Sequence, residues 1–326
     1  MIVVTSLATS RDVIVEVPDW APGSVRRATR TEVTPGGKPL NVARDCALMG
    51  IPVRLVLLAD AEVASEVSRC LSPLIEGQIV TSTTPSRTDV CLTDGSGTMT
   101  VVNGPIRSPA DEELSVALSL LEDATGAGDV VVLAGRQPTG ACSSILSLVR
   151  RRNARVIVDT SGTDLDTCLA AAPSVAKTTA TELAEIRPGR SQADVWANAR
   201  ALAPGPTEVV VSDGERGLRA WLADGSRVEV RPPRVRAVNG FGAGDALTAG
   251  IAAALAADRP LLDGLVQGTA WAAACVERLG VDFDAGRARA LEADVVVESG
   301  HGPAGGSRMP ADGSRMSHAA SATDGR

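Results

Sequence analysis

The sequence predicts an α/β protein: a doubly wound, mainly parallel sheet with helices on both faces, and a small antiparallel sheet beside it. Three observations carry this reading. Short runs rich in Val, Ile and Leu alternate with Ala- and Leu-rich helical segments along most of the chain, the pattern of a parallel sheet covered on both sides. Four stretches, 13–17, 27–33, 88–93 and 98–102, alternate apolar with polar residues and break that rhythm, so they predict half-buried strands of a second sheet. A glycine-rich run, Asn239-Gly240-Phe241-Gly242-Ala243-Gly244-Asp245, leads into an Ala/Leu-rich helix expected over 245–257.

Taken in order, residues 2–7 predict a buried first strand, with Asp12 in the loop behind it. After the strands at 13–17 and 27–33, Gly36-Gly37-Lys38 turns the chain into a helix that stops at Gly50, a normal residue just past a helix end. A strand is expected over 53–59, a helix over 62–71 and a strand over 78–83. The strands at 88–93 and 98–102 flank Asp94-Gly95, a hairpin signal. Ser108 and Pro109 suit the cap and first residue of a helix to about Glu122. Strands at 130–133, 156–159 and 174–176 alternate with helices at 141–152, 165–171 and after Lys177. A helix over 192–202, strands at 208–212, 218–222 and 227–231, and helices at 261–278 and 285–292 complete a domain of residues 1–298. From 299 to 326 Gly, Ala, Ser and Asp dominate, Gly-Ser-Arg-Met occurs twice, and a disordered tail is expected.

Composition excludes several classes. The net charge of −7, with aromatics at 2%, offers neither a basic surface nor stacking platforms for nucleic acid. No apolar run is long enough for a membrane span and no leader peptide is evident, so a cytoplasmic protein is expected. The six cysteines form no Cys-x-x-Cys pair. Both histidines, His301 and His318, lie in the tail, which argues against triad or His-zinc chemistry in the folded part. Lys38 and Lys177 are the two lysines among 32 basic residues, and a lysine in an arginine-rich chain can mark a place that needs a compact point charge.

The glycines at 240, 242 and 244 carry a backbone-entropy cost that helix propensity would not select. They turn the chain tightly and leave N–H groups at a helix N-terminus, an anion site beside which Asp245 stands. Asp is also an ordinary helix cap, and this stretch alone leaves both roles open. Ligands of open α/β sheets bind beyond the carboxyl ends of the strands. The loops expected there hold Asp12, Gly36 to Asn41, Gly135-Arg136, Asp159 to Gly162, Lys177 to Glu182, Asp213 to Gly217 and Gly240 to Asp245, so carboxylates, glycines and both lysines converge on one rim. A second Thr-Gly-Ala-Gly-Asp, at 125–129, runs into Val-Val-Val-Leu rather than a helix and is expected at the wrong edge of the sheet.

With these motifs in place, the chain resembles the ribokinase (PfkB) family of carbohydrate kinases over roughly 1–295, and within it the 1-phosphofructokinase and tagatose-6-phosphate kinase branch. Gly36 to Ala43 is similar to the first signature of that branch and Asn239 to Asp245 to the second; Asp159 to Gly162, Arg87, Ser212 to Gly217 and Arg231-Pro232-Pro233 fall in register. The resemblance implies a ribokinase-like fold whose second sheet is a β lid, ATP as co-substrate with Mg2+, a small sugar phosphate as acceptor and, as in many relatives, a homodimer through the lid. It implies Asp245 as general base, with the backbone N–H groups of Gly242, Ala243 and Gly244 holding the charge of the transferring phosphoryl group. Asp12, Gly36, Gly37 and Asn41 would bind sugar hydroxyls, while Lys38 and Arg87, with Arg136 near the sugar end, suit a phosphate already on the substrate. Lys177, Ser212, Gly214, Gly217, Asn239, Gly242 and Gly244 would serve the nucleotide and Glu182 the metal. The chain departs from the branch at Ala8-Thr9 (usually Asn-Pro), at Thr179 (usually the Asn associated with magnesium), at Arg136-Gln137 and at Gly240-Phe241. Two alternatives arise from these departures: a kinase of an unphosphorylated sugar or nucleoside, and a non-catalytic sugar-phosphate sensor on the same fold.

Overall fold

The computed structural model of the protein describes residues 1–94, 99–186 and 205–300. Its main sheet has ten strands. At its centre β1 (Ile2–Ser6) lies between β4 (Val53–Asp60) and β8 (Val130–Ala134), all parallel. β5 (Ile75–Ser82) extends one side in parallel. On the other side β9 (Arg155–Asp159), β10 (Val175–Thr179) and β11 (Glu208–Ser212) come next in parallel. Antiparallel β12 (Leu218–Trp221), β13 (Arg227–Arg231) and β14 (Val296–Gly300) close that edge.

The central strands have apolar residues on both faces, which is why they read as unbroken hydrophobic runs. Ile2, Val4, Leu55 and Leu57 pack into one core with α1 (Lys38–Leu48), α2 (Ala61–Cys70), α7 (Ala243–Ala256), α8 (Leu261–Val276) and α9 (Ala285–Leu291). Their neighbours Val3, Val56 and Leu58 face a second core with α3 (Asp111–Ala124) and α4 (Ala141–Arg151). Beside these, α5 (Gly162–Ala170) and α6 (Ala180–Ile186) pack Leu165, Leu169 and Leu183 over β10 and β11. The period-2 alternation of strand side chains thus divides one run of valines and leucines between two helix layers.

The second sheet is β3 (Arg30–Gly36), β2 (Ser10–Glu16), β6 (Arg87–Thr93) and β7 (Met99–Val102), in that order. Pairs β2–β3 and β6–β7 are antiparallel, while β2 and β6, the first strands of the two inserted pieces, run parallel. The Asp94-Gly95 turn itself extends outside the described residues, as does the expected helix 192–202.

Four expectations are corrected. Ser108 is not the cap of α3: the helix starts at Asp111, and Glu113 reaches back to the Ala110 N–H at 3.2 Å and sideways to Ser82 Oγ at 2.6 Å. Lys177 lies inside β10 rather than in the loop after it, because the strand runs on to Thr179 beside β11. Strand β14 is hidden in the sequence by the Gly/Ser-rich composition beyond it, yet Val297 pairs with Val230 and covers the edge of β13. Ser299 and Gly300, expected in the tail, therefore belong to a strand; residues 301–326 lie outside the described residues. All six cysteines are free. No described helix is long and apolar enough to cross a membrane.

Helix α7 is held tightly against α8. A Cβ at Gly250 would sit 2.3 Å from Gly268 Cα, and one at Gly268 would sit 2.5 Å from the Leu247 carbonyl oxygen. This close backbone approach fixes the helix whose first turn carries the glycine-rich motif.

Candidate active site

Helix α7 begins at Ala243, and its cap is Gly242, whose φ of 83° lies in the left-handed region where a side chain is strained. The N–H groups of Asp245 and Ala246 both bond the Gly242 carbonyl at 2.9 Å. Those of Gly242, Ala243 and Gly244 have no hydrogen-bond partner among the described residues. Three free donors at the positive end of a 14-residue helix are a favourable place for an anion. Asp245 is not the cap. Its side chain is 6% exposed and accepts a hydrogen bond from Asn41 Nδ2 at 2.9 Å, from across the core. Burial pushes the Asp245 carboxyl up to about 7; Lys38 opposes the shift, Asp159 adds to it, and Asn41 and Lys177 again oppose. A carboxylate poised there can take a proton at neutral pH.

The loop behind the hole is braced rather than free. Asn239, expected on the nucleotide, is buried: its Oδ1 accepts from the Phe241 N–H at 2.7 Å and its Nδ2 donates to the Arg278 carbonyl. The Cys275 thiol donates to the Phe241 carbonyl at 3.5 Å.

Both lysines meet at one carboxylate, Asp159, at the end of β9. Lys177 Nζ donates to Asp159 Oδ2 at 2.8 Å and Lys38 Nζ to Oδ1 at 3.0 Å, while Thr248 Oγ on α7 donates to Oδ2 at 2.7 Å. Asp159 is fully buried, which disfavours its charge, but Lys177 and Lys38 outweigh burial and hold it well below the usual carboxylate range. For Lys38, burial is likewise outweighed, by Asp159, Glu182 and Asp245, and its pKa is raised. The Lys177 ammonium lies 3.1 Å from where a Cβ on Gly244 would be, directly against the first turn of α7. A side chain at 244 would crowd the ammonium beside it.

Asp12 on β2 is 3% exposed and accepts from Ser10 Oγ at 2.7 Å and from the Gly37 N–H at 3.2 Å. A Cβ at Gly36 would overlap its carboxylate, 2.0 Å from Oδ2, so this turn admits Asp12 only with glycine there. Burial raises the Asp12 pKa, while Ser10, Gly37 and the charge of Arg87 draw it back. Arg87 and Lys38 have different carboxylate partners. Its Nε donates to both oxygens of Asp89 at 2.9 and 3.1 Å, leaving the two Nη groups without partners among the described residues. Arg136 is exposed, with its Nε 3.8 Å from Asp164. Beyond β11, Ser212 Oγ donates to the Thr178 carbonyl at 3.3 Å, and Gly214 opens a single 3-10 turn. Gly217 admits the backbone of β13, since a Cβ there would lie 2.2 Å from the Val230 carbonyl oxygen.

Glu182 offers little to a metal by itself. One oxygen faces Lys38 at 3.4 Å; the other accepts from the Thr179 N–H at 2.9 Å and Thr178 Oγ at 3.3 Å. No group of three acidic, Cys or His side chains among the described residues could cage an ion. These donors therefore do not fit a metal held by protein alone. Reasoning from sequence places Asp159 on the rim without a role and passes over Thr248; the spacing Asp245-x-x-Thr248, one helical turn, is the signal that could have found it.

Known proteins resemble this chain in sequence and in fold. The pfkB family carbohydrate kinase model matches residues 1–286. A 1-phosphofructokinase of Rhodobacter capsulatus is 32% identical over 263 residues, covering 77% of this chain and 82% of that protein. A 1-phosphofructokinase of Xanthomonas campestris pv. campestris is 30% identical over 282 residues, covering 80% and 86%. Among solved structures, phosphofructokinase-2 from Escherichia coli superposes with a TM-score of 0.78 at 22% identity, over 90% of this chain and 98% of that one.

Proposed function

The chain belongs to the pfkB family of carbohydrate kinases and is an ATP-dependent sugar kinase, and from that premise we propose that its acceptor is a sugar already carrying a phosphate, as the names of its 1-phosphofructokinase relatives suggest. The observation that supports the chemistry best is Asp245, a buried carboxylate tuned to about 7, held by Asn41 and set beneath three unpaired N–H groups. Asp245 takes the proton of the attacking hydroxyl as its oxygen bonds the γ-phosphorus of ATP and the bond to the leaving ADP oxygen breaks. The N–H groups of Gly242, Ala243 and Gly244 hold the charge on the transferring group, with the Lys177 ammonium beside them. Lys38, between Asp159 and Glu182 and within the electrostatic reach of Asp245, supports that same charge. Magnesium, typical of the family, would come with the phosphates of ATP, with Glu182 the carboxylate of this chain to meet it.

Asp12, the Gly36-Gly37 turn and Asn41 form the sugar side, and the free Nη groups of Arg87 the phosphate end. The loop from Ser212 to Gly217 shapes the nucleotide side, as does Asn239, which braces the glycine-rich turn. Arg136, exposed on the rim, is free to swing toward the sugar end. The β2–β3 and β6–β7 strands form the lid over the sugar, and Val33, Val101 and Val102, exposed on it, suit a homodimer face.

The test is ADP release with magnesium, ATP and a panel of free and phosphorylated sugars. Phosphorylated ketoses are expected to give the highest kcat/KM, and Arg87→Ala to lower kcat/KM for them by ~10- to 150-fold through KM, as befits a charge-assisted hydrogen bond. A second reading, a kinase of free sugars or nucleosides, draws on Lys38 being bound to Asp159 and Glu182 and on Arg87 being paired with Asp89. Faster turnover of free sugars with Arg87→Ala indifferent selects it.

A further inference from the structure

Asp45 is a buried acid that the chemistry above leaves unused. It lies on α1 one helical turn beyond Asn41, on the same face of the helix, and is 1% exposed. Neither of its carboxyl oxygens has a hydrogen-bond partner among the described residues. Other buried acids here are answered: Asp159 by two lysines and Thr248, Asp245 by Asn41, Asp12 by Ser10 and Gly37. A buried carboxylate without partners is so costly that such groups hold a proton instead.

The surroundings point the same way. The charged and titratable groups that face Asp45 are Asp245 on α7, Asp282 in the α8–α9 connection, Cys275 on α8, and Arg44 and Cys46 on its own helix. Arg44 is the one cation in this set, and its Nη2 is directed to the Cys70 sulfur on α2 at 3.6 Å. Burial first, and then the charges of Asp245 and Asp282, set the Asp45 carboxyl well above the ordinary range. Asp245 has Lys38, Lys177 and Asn41 to support its charge, whereas Asp45 has only the charge of Arg44 and no hydrogen bond among the described residues.

We infer that Asp45 is a positioning residue that keeps its proton in the working enzyme while Asp245 gives its own up, and that ionisation of Asp45 sets the alkaline limit of the activity. The inference rests on Asp245 being the base. Its route is short: an ionised Asp45, one turn from Asn41, competes with Asp245 for the Asn41 amide and puts a second negative charge behind the base. Neutral, it does neither.

The experiment compares wild type, Asp45→Asn and Asp45→Val in kcat from pH 5 to 10 and in Tm from pH 4 to 9. Wild type is expected to show an acid limb near 7 and an alkaline limb. Asp45→Asn is expected to retain the acid limb and lack the alkaline one, so the ratio of variant to wild-type kcat grows about tenfold per pH unit above the limit, as one ionisation dictates. In stability, a carboxyl raised on folding helps fully below its unfolded value of roughly 4, and that help is lost as pH rises toward the folded value. Wild-type Tm should therefore fall progressively below that of both variants as pH rises from 4. An alkaline limb that stays in both variants, or a Tm gap that does not change with pH, overturns the inference. The Tm comparison needs no substrate, so it separates a failure at Asp45 from a failure of the kinase reading, and Asp45→Val supplies the same comparison should the Asn variant not fold.

Discussion

Gly-Ala-Gly-Asp occurs twice, at 126–129 and at 242–245, and the fold puts the copies at opposite edges of one sheet. Both turn through a left-handed glycine, Gly128 at φ 79° and Gly242 at φ 83°. At the first copy the turn is internally closed: Gly126 N–H bonds Asp129 Oδ2 at 2.7 Å, Gly128 N–H bonds the Asn153 carbonyl at 3.0 Å, and Asp129 pairs with the N-terminal amine at 3.1 Å. Strand β8 then takes the chain away into the core. At the second copy the next element is a helix, so the donors stay free, the dipole adds to them, and Asp245 is buried against Asn41. The same four residues thus make a strand-initiating clasp in one place and a charged pocket in the other. The element downstream sets the role of each copy.

The contrast breaks most readily at the two carboxylates. Asp245→Asn should lower kcat by ~10²–10⁴-fold, the usual contribution of a positioned base, while Asp129→Asn leaves kcat unchanged. Steady-state ADP release on both variants checks this; equal losses would mean that the copies are functionally alike. Next come the glycines. Gly242→Ala meets Val281 at 3.2 Å besides the unfavourable φ, and misplacing the hole should cost ~10²-fold in kcat. Gly128→Ala meets nothing within 4 Å, so it should carry only the left-handed strain of ~1–2 kcal/mol, seen in Tm and not in turnover.

A pH series sharpens the comparison further. With Asp245 at about 7, kcat/KM should fall below that pH as the base protonates, and Asp129→Asn should leave the limb in place. Stability runs the other way. The folded-state pKa of Asp245 is raised, so its favourable contribution is complete below roughly 4 and is lost by pH 7, and Asp245→Asn should raise Tm increasingly across that window. A variant whose Tm advantage stays constant with pH would show that burial is not what tunes the base. The smallest effect is expected from Asp129→Asn on stability, under ~1 kcal/mol for a partly exposed pair with the chain terminus, readable as a slight drop in denaturation midpoint.

Much of this site is legible in the sequence. The segments that hold Gly36-Gly37, Asn41 and Asp245 can be placed from local periodicity and glycine spacing, which need no partner to be read; Asp12, expected in a loop, lies inside β2 because its pairing with β3 and β6 is long-range. The family resemblance joins Arg87 to Lys38 on a substrate phosphate; the fold pairs them with different carboxylates, Asp89 and Asp159. Gly217 looks like a place for a nucleotide to approach, yet the close neighbour is the backbone of β13. Strand β14 escapes because three valines beside a Gly/Ser-rich stretch carry too short a pattern to stand out.

By itself the sequence determined the α/β class, the lid strands, and which Gly-Ala-Gly-Asp copy opens a helix, because these depend on residues within a few positions of one another. The tertiary structure alone decided the partnerships: Asn41 with Asp245, 204 residues apart; Lys38 with Asp159, 121 apart; Thr248 with Asp159, 89 apart. It also left Asp45 without one. Which side chains meet depends on strand order, on the pitch of one helix against another and on the glycine contacts that let α7 and α8 close together, and none of these is carried by any single stretch of the chain. The charge that a carboxylate keeps or gives up is set by those meetings, through burial and neighbouring charge.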